Sequence, residues 1–109
     1  MLKKAENILF QYFGYKKFRA NQEEIISSIL DGRNLLGIIP TGSGKSICYQ
    51  IPALLSPKLT IVISPLISLM KDQVDALKIS NIPSAFINSS LSKEEYVDII
   101  RQLRKNKLK

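Results

Sequence analysis

Lys45 and Ser46 close the run Gly37-Ile38-Ile39-Pro40-Thr41-Gly42-Ser43-Gly44-Lys45-Ser46, where an apolar segment feeds a glycine-rich turn. An ammonium and a hydroxyl placed after two glycines suit one task, the holding of a polyphosphate. Gly42 and Gly44 can adopt backbone angles closed to other residues, which lets successive N–H groups converge on an anion at the start of the following helix. Lys45 would supply a point charge for the β/γ-phosphates, and Ser46 a hydroxyl for magnesium. The pattern G-x-x-x-x-G-K-[ST] begins with glycine, where this chain has Ile39, yet Thr41, Gly42, Ser43, Gly44, Lys45 and Ser46 retain every group that touches phosphate. A flexible turn with a solvated lysine is the alternative, and the strand-like segment before it and the helical segment after it argue for the cradle.

Upstream, Phe13-Gly14-Tyr15-Lys16-Lys17-Phe18-Arg19-Ala20-Asn21-Gln22 sets aromatics, a guanidinium and a carboxamide just ahead of a helix. A carboxamide can both donate to and accept from the edge of adenine, while aromatic and guanidinium planes stack on the base. Together with the cradle this combination selects ATP.

These groups need elements to hold them. Ala5, Leu9, Tyr12 and Phe13 share a helical face, and Gly14 offers a left-handed stop. Asn21 with Glu24 resembles a capping box for a second helix, which Asp31-Gly32 ends. Leu35 to Ile39 has the continuous apolar character of a central parallel strand. A helix is expected from Lys45 until Pro52 disrupts it, with Ala53-Leu54-Leu55 adding a turn. Thr60 to Ile63 reads as a second strand, and Ser64-Pro65 as an N-cap with proline at the first helical position. Leu66, Leu69, Met70, Val74 and Leu77 follow at helical spacing, as core packing would explain. Ser84 to Ile87 reads as a third strand, and Ser92 with Glu95 as a second capping box, before a helix with Tyr96, Ile99, Ile100 and Leu103 on its inner side. Alternating strands and helices predict the α/β class, a parallel sheet with helices on both faces.

In these residues the chain resembles the RecQ family of ATP-dependent DNA helicases. The upstream block is similar to that family's motif zero, Pro40 to Leu54 to its motif I, and Ser64-Pro65-Leu66-Ile67-Ser68-Leu69-Met70-Lys71-Asp72-Gln73-Val74 to its motif Ia. The resemblance implies that Tyr15 and Arg19 sandwich adenine, Gln22 reads its edge, Lys45 holds the β/γ-phosphates and Ser46 binds magnesium. Ala20-Asn21 stand where the family commonly has Pro-Gly. Motif Ia implicates Ser64, Ser68 and Lys71 in contact with the DNA backbone, with capping and solvation as their alternative uses; Asn88-Ser89-Ser90 resembles a further loop near DNA. The implied activity is ATP-driven unwinding of duplex DNA, 3′ to 5′, in recombination and repair. The implied fold is a partial RecA-like P-loop domain, with residues 1–34 a helical adenine-recognition segment and 35–109 P-loop β/α units.

Composition sets the bounds. A chain of 109 residues with 45% hydrophobic and 23% charged residues has the makeup of one globular domain, without repeats or low-complexity runs. No apolar run approaches the roughly 20 residues that span a bilayer, so no membrane partner and a cytoplasmic location are expected, at the nucleoid if the source is bacterial. With one cysteine, Cys48, and no histidine, neither a disulfide framework nor a thiolate/imidazole zinc site can form within the chain. Cys48 reads as a small buried residue, a reactive thiol being the lesser alternative. A net charge of +7 suits a polyanion. Arg101, Arg104, Lys105, Lys107 and Lys109 concentrate charge at the carboxyl end, where a solvated helix end and a DNA contact are both open.

Hydrolysis also needs a carboxylate on the magnesium shell and a group that orients water. No aspartate here is followed by glutamate, so the family's Asp-Glu-x-His motif is absent. The chain is therefore expected to be the amino-terminal part of the first motor domain, inactive alone, marginally stable and prone to self-association, and to work with single-stranded and duplex DNA and the remaining helicase domains. A P-loop nucleotide kinase and a non-catalytic basic DNA-binding module are the alternatives.

Overall fold

The computed structural model describes residues 2–19, 21–40 and 44–109. These form two compact units, Met1–Lys58 and Leu59–Lys109.

In the first unit, α1 (Leu2–Ile8) runs on into a single wide turn of π-helix, Leu9–Phe13. Gly14 closes it in the left-handed conformation, φ 78°, its N–H donating to the Phe10 carbonyl at 3.0 Å. Helix α2 (Gln22–Leu30) and helix α3 (Lys45–Leu55) complete the unit. Ala5 and Leu9, Ile26 and Leu30, and Ile47, Ile51 and Leu55 each repeat at four residues, which aligns them on one helical face. Ala5, Leu9, Ile26 and Ile51 form the buried centre, with Ile8, Phe13, Phe18, Leu30, Ile47 and Leu55 packed around it. Pro52 does not end α3. It lies buried inside the helix, which continues to Leu55 and closes with the Ser56 N–H on the Pro52 carbonyl at 2.9 Å.

The second unit contains α4 (Ile67–Ile79) and α5 (Lys93–Arg104). Its buried hydrophobic side chains are Val74 and Ile82. Much of its order comes from helix ends. At the end of α4, Asn81 (φ 63°) donates to Lys78 and Ile82 to Leu77, both at 2.9 Å. At the end of α5, Asn106 (φ 54°) donates to Leu103 at 3.2 Å and Lys107 to Gln102 at 3.0 Å. Helix α2 in the first unit ends in the same paired pattern, with Gly32 (φ 77°) donating to Ile29 and Arg33 to Ser28. This is the Schellman motif, which satisfies carbonyls that a helix end would otherwise leave open.

The expected α/β class, with a parallel sheet and helices on both faces, is not what forms. Among the described residues there are five α-helices and no strand. The stretches 35–39, 60–63 and 84–87 lie outside any helix, but none enters a ladder. β-Branched composition supplies propensity, whereas a strand exists only through a row of bonds to a neighbour. The second unit has two isolated bonds in place of such a row: Thr60 N–H to the Lys109 carbonyl, and Lys109 N–H to the Pro83 carbonyl, each 2.9 Å. Side chains meant for a sheet's faces stay in solvent, Leu36 at 87% exposure and Ile63 at 93%.

Two expected caps also fail. Asn21 precedes α2 in the left-handed conformation (φ 76°) and its side chain makes no cap bond. Helix α4 starts at Ile67, two residues past Pro65, while the Ser64 hydroxyl accepts from the Leu66 N–H at 3.2 Å in a local turn. The inner side expected of α5 is shallow: no residue of that helix is buried, and Tyr96 is exposed.

Candidate functional site

The amino end of α3 carries three of the sequence-predicted residues, and a fourth, Gln22, reaches it. Gly44 occupies the N-cap position with φ 76°, followed by Lys45, exposed, and Ser46, half-buried, in the first turn. Thr41, Gly42 and Ser43 lie outside the described residues. Helix α3 thus begins with backbone N–H groups that have no partner within the helix, and with a cation and a hydroxyl beside them.

Gln22 reaches this end from α2. Its side chain is only 3% exposed, and both ends of its carboxamide are engaged. Oε1 accepts from the Arg19 N–H at 2.7 Å, and Nε2 donates to the Gly44 carbonyl at 3.1 Å. The Gln22 N–H returns a bond to the Arg19 carbonyl at 3.2 Å, so the backbone around Arg19 and Gln22 is tied twice. A carboxamide buried this deeply must be bonded, and these partners meet that need. Gly44 is required on two counts: its positive φ, and the space a Cβ would take, which the Gln22 amide already fills. Gly37 is similarly constrained, since a Cβ there would sit 3.1 Å from Ile25 Cδ1.

Tyr15 and Arg19 lie in the connection between the π turn and α2. Tyr15 is 53% exposed, and the Arg19 side chain is also on the surface. Of the predicted adenine contacts, then, the Arg19 backbone and Gln22 are joined by hydrogen bonds, Gln22 reaches Gly44, and Tyr15 stands open to solvent in the same unit. Sequence spacing does not reveal the bond between Gln22 and Gly44, which spans 22 residues.

Cys48, one turn into α3, is buried, with Sγ 4.0 Å from the Gly44 carbonyl. Burial pushes its thiol pKa up, opposed in part by a hydrogen bond from the residue's own backbone. This is the reverse of the environment that activates a thiolate.

The residues implicated by motif Ia belong to the second unit. Ser64 is used locally by the Leu66 N–H, and Ser68 is exposed in the first turn of α4. Lys71 Nζ pairs with Asp75 Oδ2 at 2.7 Å, one turn along, and that bond holds its pKa above the usual lysine value. In the Asn88 to Ser90 loop, the Asn88 side-chain oxygen accepts from the Ser90 N–H at 2.9 Å and from the Ser90 hydroxyl. Among the described residues no group of three His, Cys, Asp or Glu side chains could hold a metal ion, and no helix is long and apolar enough to cross a membrane.

A model of the DEAD/DEAH box helicase family matches residues 19–108. The chain is 53% identical to the ATP-dependent DNA helicase RecQ of Bacillus subtilis over its whole length, which is 19% of that relative. It is 50% identical to the RecQ helicase of Haemophilus influenzae, over 96% of this chain and 17% of the relative. Against the ATP-dependent DNA helicase Q-like 2 of Arabidopsis thaliana it is 43% identical, over 94% of this chain and 14% of the relative. The chain spans about a fifth of the length of such relatives, or less. With the family match covering both the Gln22 relay and the turn it reaches, the chain belongs to the DEAD/DEAH box helicase family and within it resembles the RecQ helicases.

Proposed function

We propose that this chain supplies the adenine and triphosphate contacts of an ATP-dependent DNA helicase. The observation that carries the reading is the bond from the Gln22 carboxamide to Gly44, which joins the base-recognition segment to the head of α3. In this reading Lys45 neutralises β/γ-phosphate oxygens, and the N–H groups at the start of α3 bond to them. Tyr15 and the Arg19 guanidinium stack on the two faces of the base. Gln22 reads the base edge with the capacity its internal bonds leave: a carboxamide has two N–H groups and two lone pairs, and one of each is used among the described residues. Magnesium suits the Ser46 hydroxyl, a hard oxygen donor beside the lysine, and when bound would neutralise charge on the phosphates. Few protein ligands are needed for an ion that keeps its waters and arrives with phosphate oxygens. Ser64, Ser68 and Lys71 of the second unit would meet the DNA backbone, Lys71 exchanging Asp75 for a phosphate.

The chain has no Asp-Glu pair, so it is expected to bind nucleotide without turning it over. Titration of the chain with fluorescent ATP and GTP analogues tests the assignment. ATP should bind more tightly than GTP, and Lys45→Ala should abolish both. Equal affinities for the two nucleotides would end the adenine assignment, and magnesium-dependent hydrolysis by the purified chain would show that an acid has been overlooked.

A further inference from the structure

We infer that Gln22 is a positioning residue for the phosphate grip itself, and acts whether or not a base is present. The inference rests on the reading of the α3 amino end as a phosphate site. The Gly44 carbonyl and the Lys45 N–H belong to one planar trans peptide, in which oxygen and hydrogen point in opposite directions. By holding that oxygen at 3.1 Å, the Gln22 Nε2 fixes the peptide plane and so the direction in which the Lys45 N–H points. That N–H is among the donors which α3 leaves without an intrahelical partner.

The anchor is stiff at both ends. The carboxamide is buried at 3% exposure, and the Arg19 N–H holds its oxygen at 2.7 Å, so it cannot rotate without breaking a second bond. Gly44, at φ 76° and with no side chain, has a backbone that nothing of its own restrains. A residue that only recognised adenine would not need to hold the backbone beside Lys45.

Magnesium tripolyphosphate, which has no base, separates the two roles. Its binding to the 109-residue chain is measured by calorimetry for wild type, Lys45→Ala, Gln22→Ala and Gln22→Glu, with far-ultraviolet circular dichroism verifying that helicity is kept. Wild type should bind and Lys45→Ala should not. Gln22→Ala should bind about tenfold more weakly than wild type, the worth of one hydrogen bond to an oriented group. Gln22→Glu preserves shape and the acceptor for Arg19, but its carboxylate has no donor for Gly44. It should show the same loss at pH 7.5 and recover toward wild type at pH 5, measured against wild type at each pH, as protonation of a buried carboxyl restores a donor. A merely structural role would instead cost helicity along with affinity in the Gln22 variants.

Tripolyphosphate affinity unchanged in both Gln22 variants, with Lys45→Ala still inactive, would overturn the inference and leave the phosphate site standing. Equal binding by wild type and Lys45→Ala, or none by wild type, would overturn both. Loss of ATP preference over GTP in Gln22→Ala reports separately on base reading.

Discussion

The two units are built on different physical terms. Met1–Lys58 places Ala5, Leu9, Ile26 and Ile51 out of solvent and surrounds them with half-buried apolar side chains. Leu59–Lys109 buries Val74 and Ile82, while Ile61, Ile63, Leu66, Ile67 and Ile79 stay exposed. What the second unit has in abundance is local backbone satisfaction: two Schellman ends, a capping box and turns closed by Ser64 and Asn88. Burial ties together residues far apart in sequence, whereas caps act over three to five residues. The residues proposed to hold nucleotide lie in the unit with the core, where a side chain can be held across 22 positions. The residues implicated in DNA contact lie in the unit that is organised locally.

A matched pair of substitutions gives the largest expected contrast. Ile51→Ala removes a side chain with no exposure from the centre of the first unit, and should cost about 2–5 kcal/mol, enough to melt α3. Ile63→Ala makes the same chemical change at 93% exposure, and should move stability by less than about 0.5 kcal/mol. Urea unfolding followed by circular dichroism measures both. Similar costs would mean that residues 60–63 are packed in solution, and would remove the contrast between the units. The exposed apolar side chains also predict self-association, which Ile63→Ala together with Ile79→Ala should reduce in sedimentation experiments.

The same division separates what could be read in the sequence from what could not. Local signals located the five helices, periodicity and caps for four of them and the glycine-rich turn for α3, since each acts over a few residues. Gly14 and Asp31-Gly32 marked real ends because a left-handed residue is a local need. The two capping-box signatures show where local reading stops. Ser92 and Glu95 form the box, with the Glu95 N–H donating to the Ser92 hydroxyl at 3.1 Å and the Ser92 N–H to Glu95 Oε1 at 3.0 Å. Asn21 and Glu24 have the same spacing but form none. A cap residue must be extended, as Ser92 is at ψ 163°, and Asn21 is left-handed. The strands misled for the opposite reason: their composition is local, but their existence depends on partners. At the candidate site, residue types pointed to Gly44, Lys45 and Ser46 at the head of a helix, which α3 has, while the Gln22 to Gly44 bond could not be read from spacing.

If caps hold the second unit, its left-handed asparagines should resist alanine. Asn81→Ala keeps the Cβ at φ 63° but removes the short polar side chain that eases asparagine into the left-handed region, at a cost of about 1 kcal/mol. Asn81→Gly should be neutral within about 0.5 kcal/mol, since glycine reaches that conformation freely. Equal effects of the two variants would show that the Asn81 side chain contributes by other means than its backbone angle. Ser92→Ala removes one acceptor at the head of α5 and should likewise cost about 1 kcal/mol, read as fraying of that helix by amide exchange.

The smallest effect is electrostatic and lies at the same cap. The Ser92 N–H, and after it the Ser92 hydroxyl, hold the Glu95 carboxyl below the ordinary glutamate range. Because the folded pKa is the lower one, the ionised carboxylate stabilises α5 fully above the unfolded pKa. That contribution is lost as pH falls through the depressed folded value. Glu95→Gln keeps an oxygen that can accept from the Ser92 N–H but cannot titrate there, so α5 in the variant should lose less stability than wild type between pH 6 and pH 3, two values chosen to bracket that range. Ser92→Ala should retain most of the Glu95 depression in a carbon-13 titration, since the backbone donor, the larger cause, survives the substitution. A Glu95 that titrates normally in Ser92→Ala would instead assign the effect to the hydroxyl, and would make the side chain the principal donor of that cap.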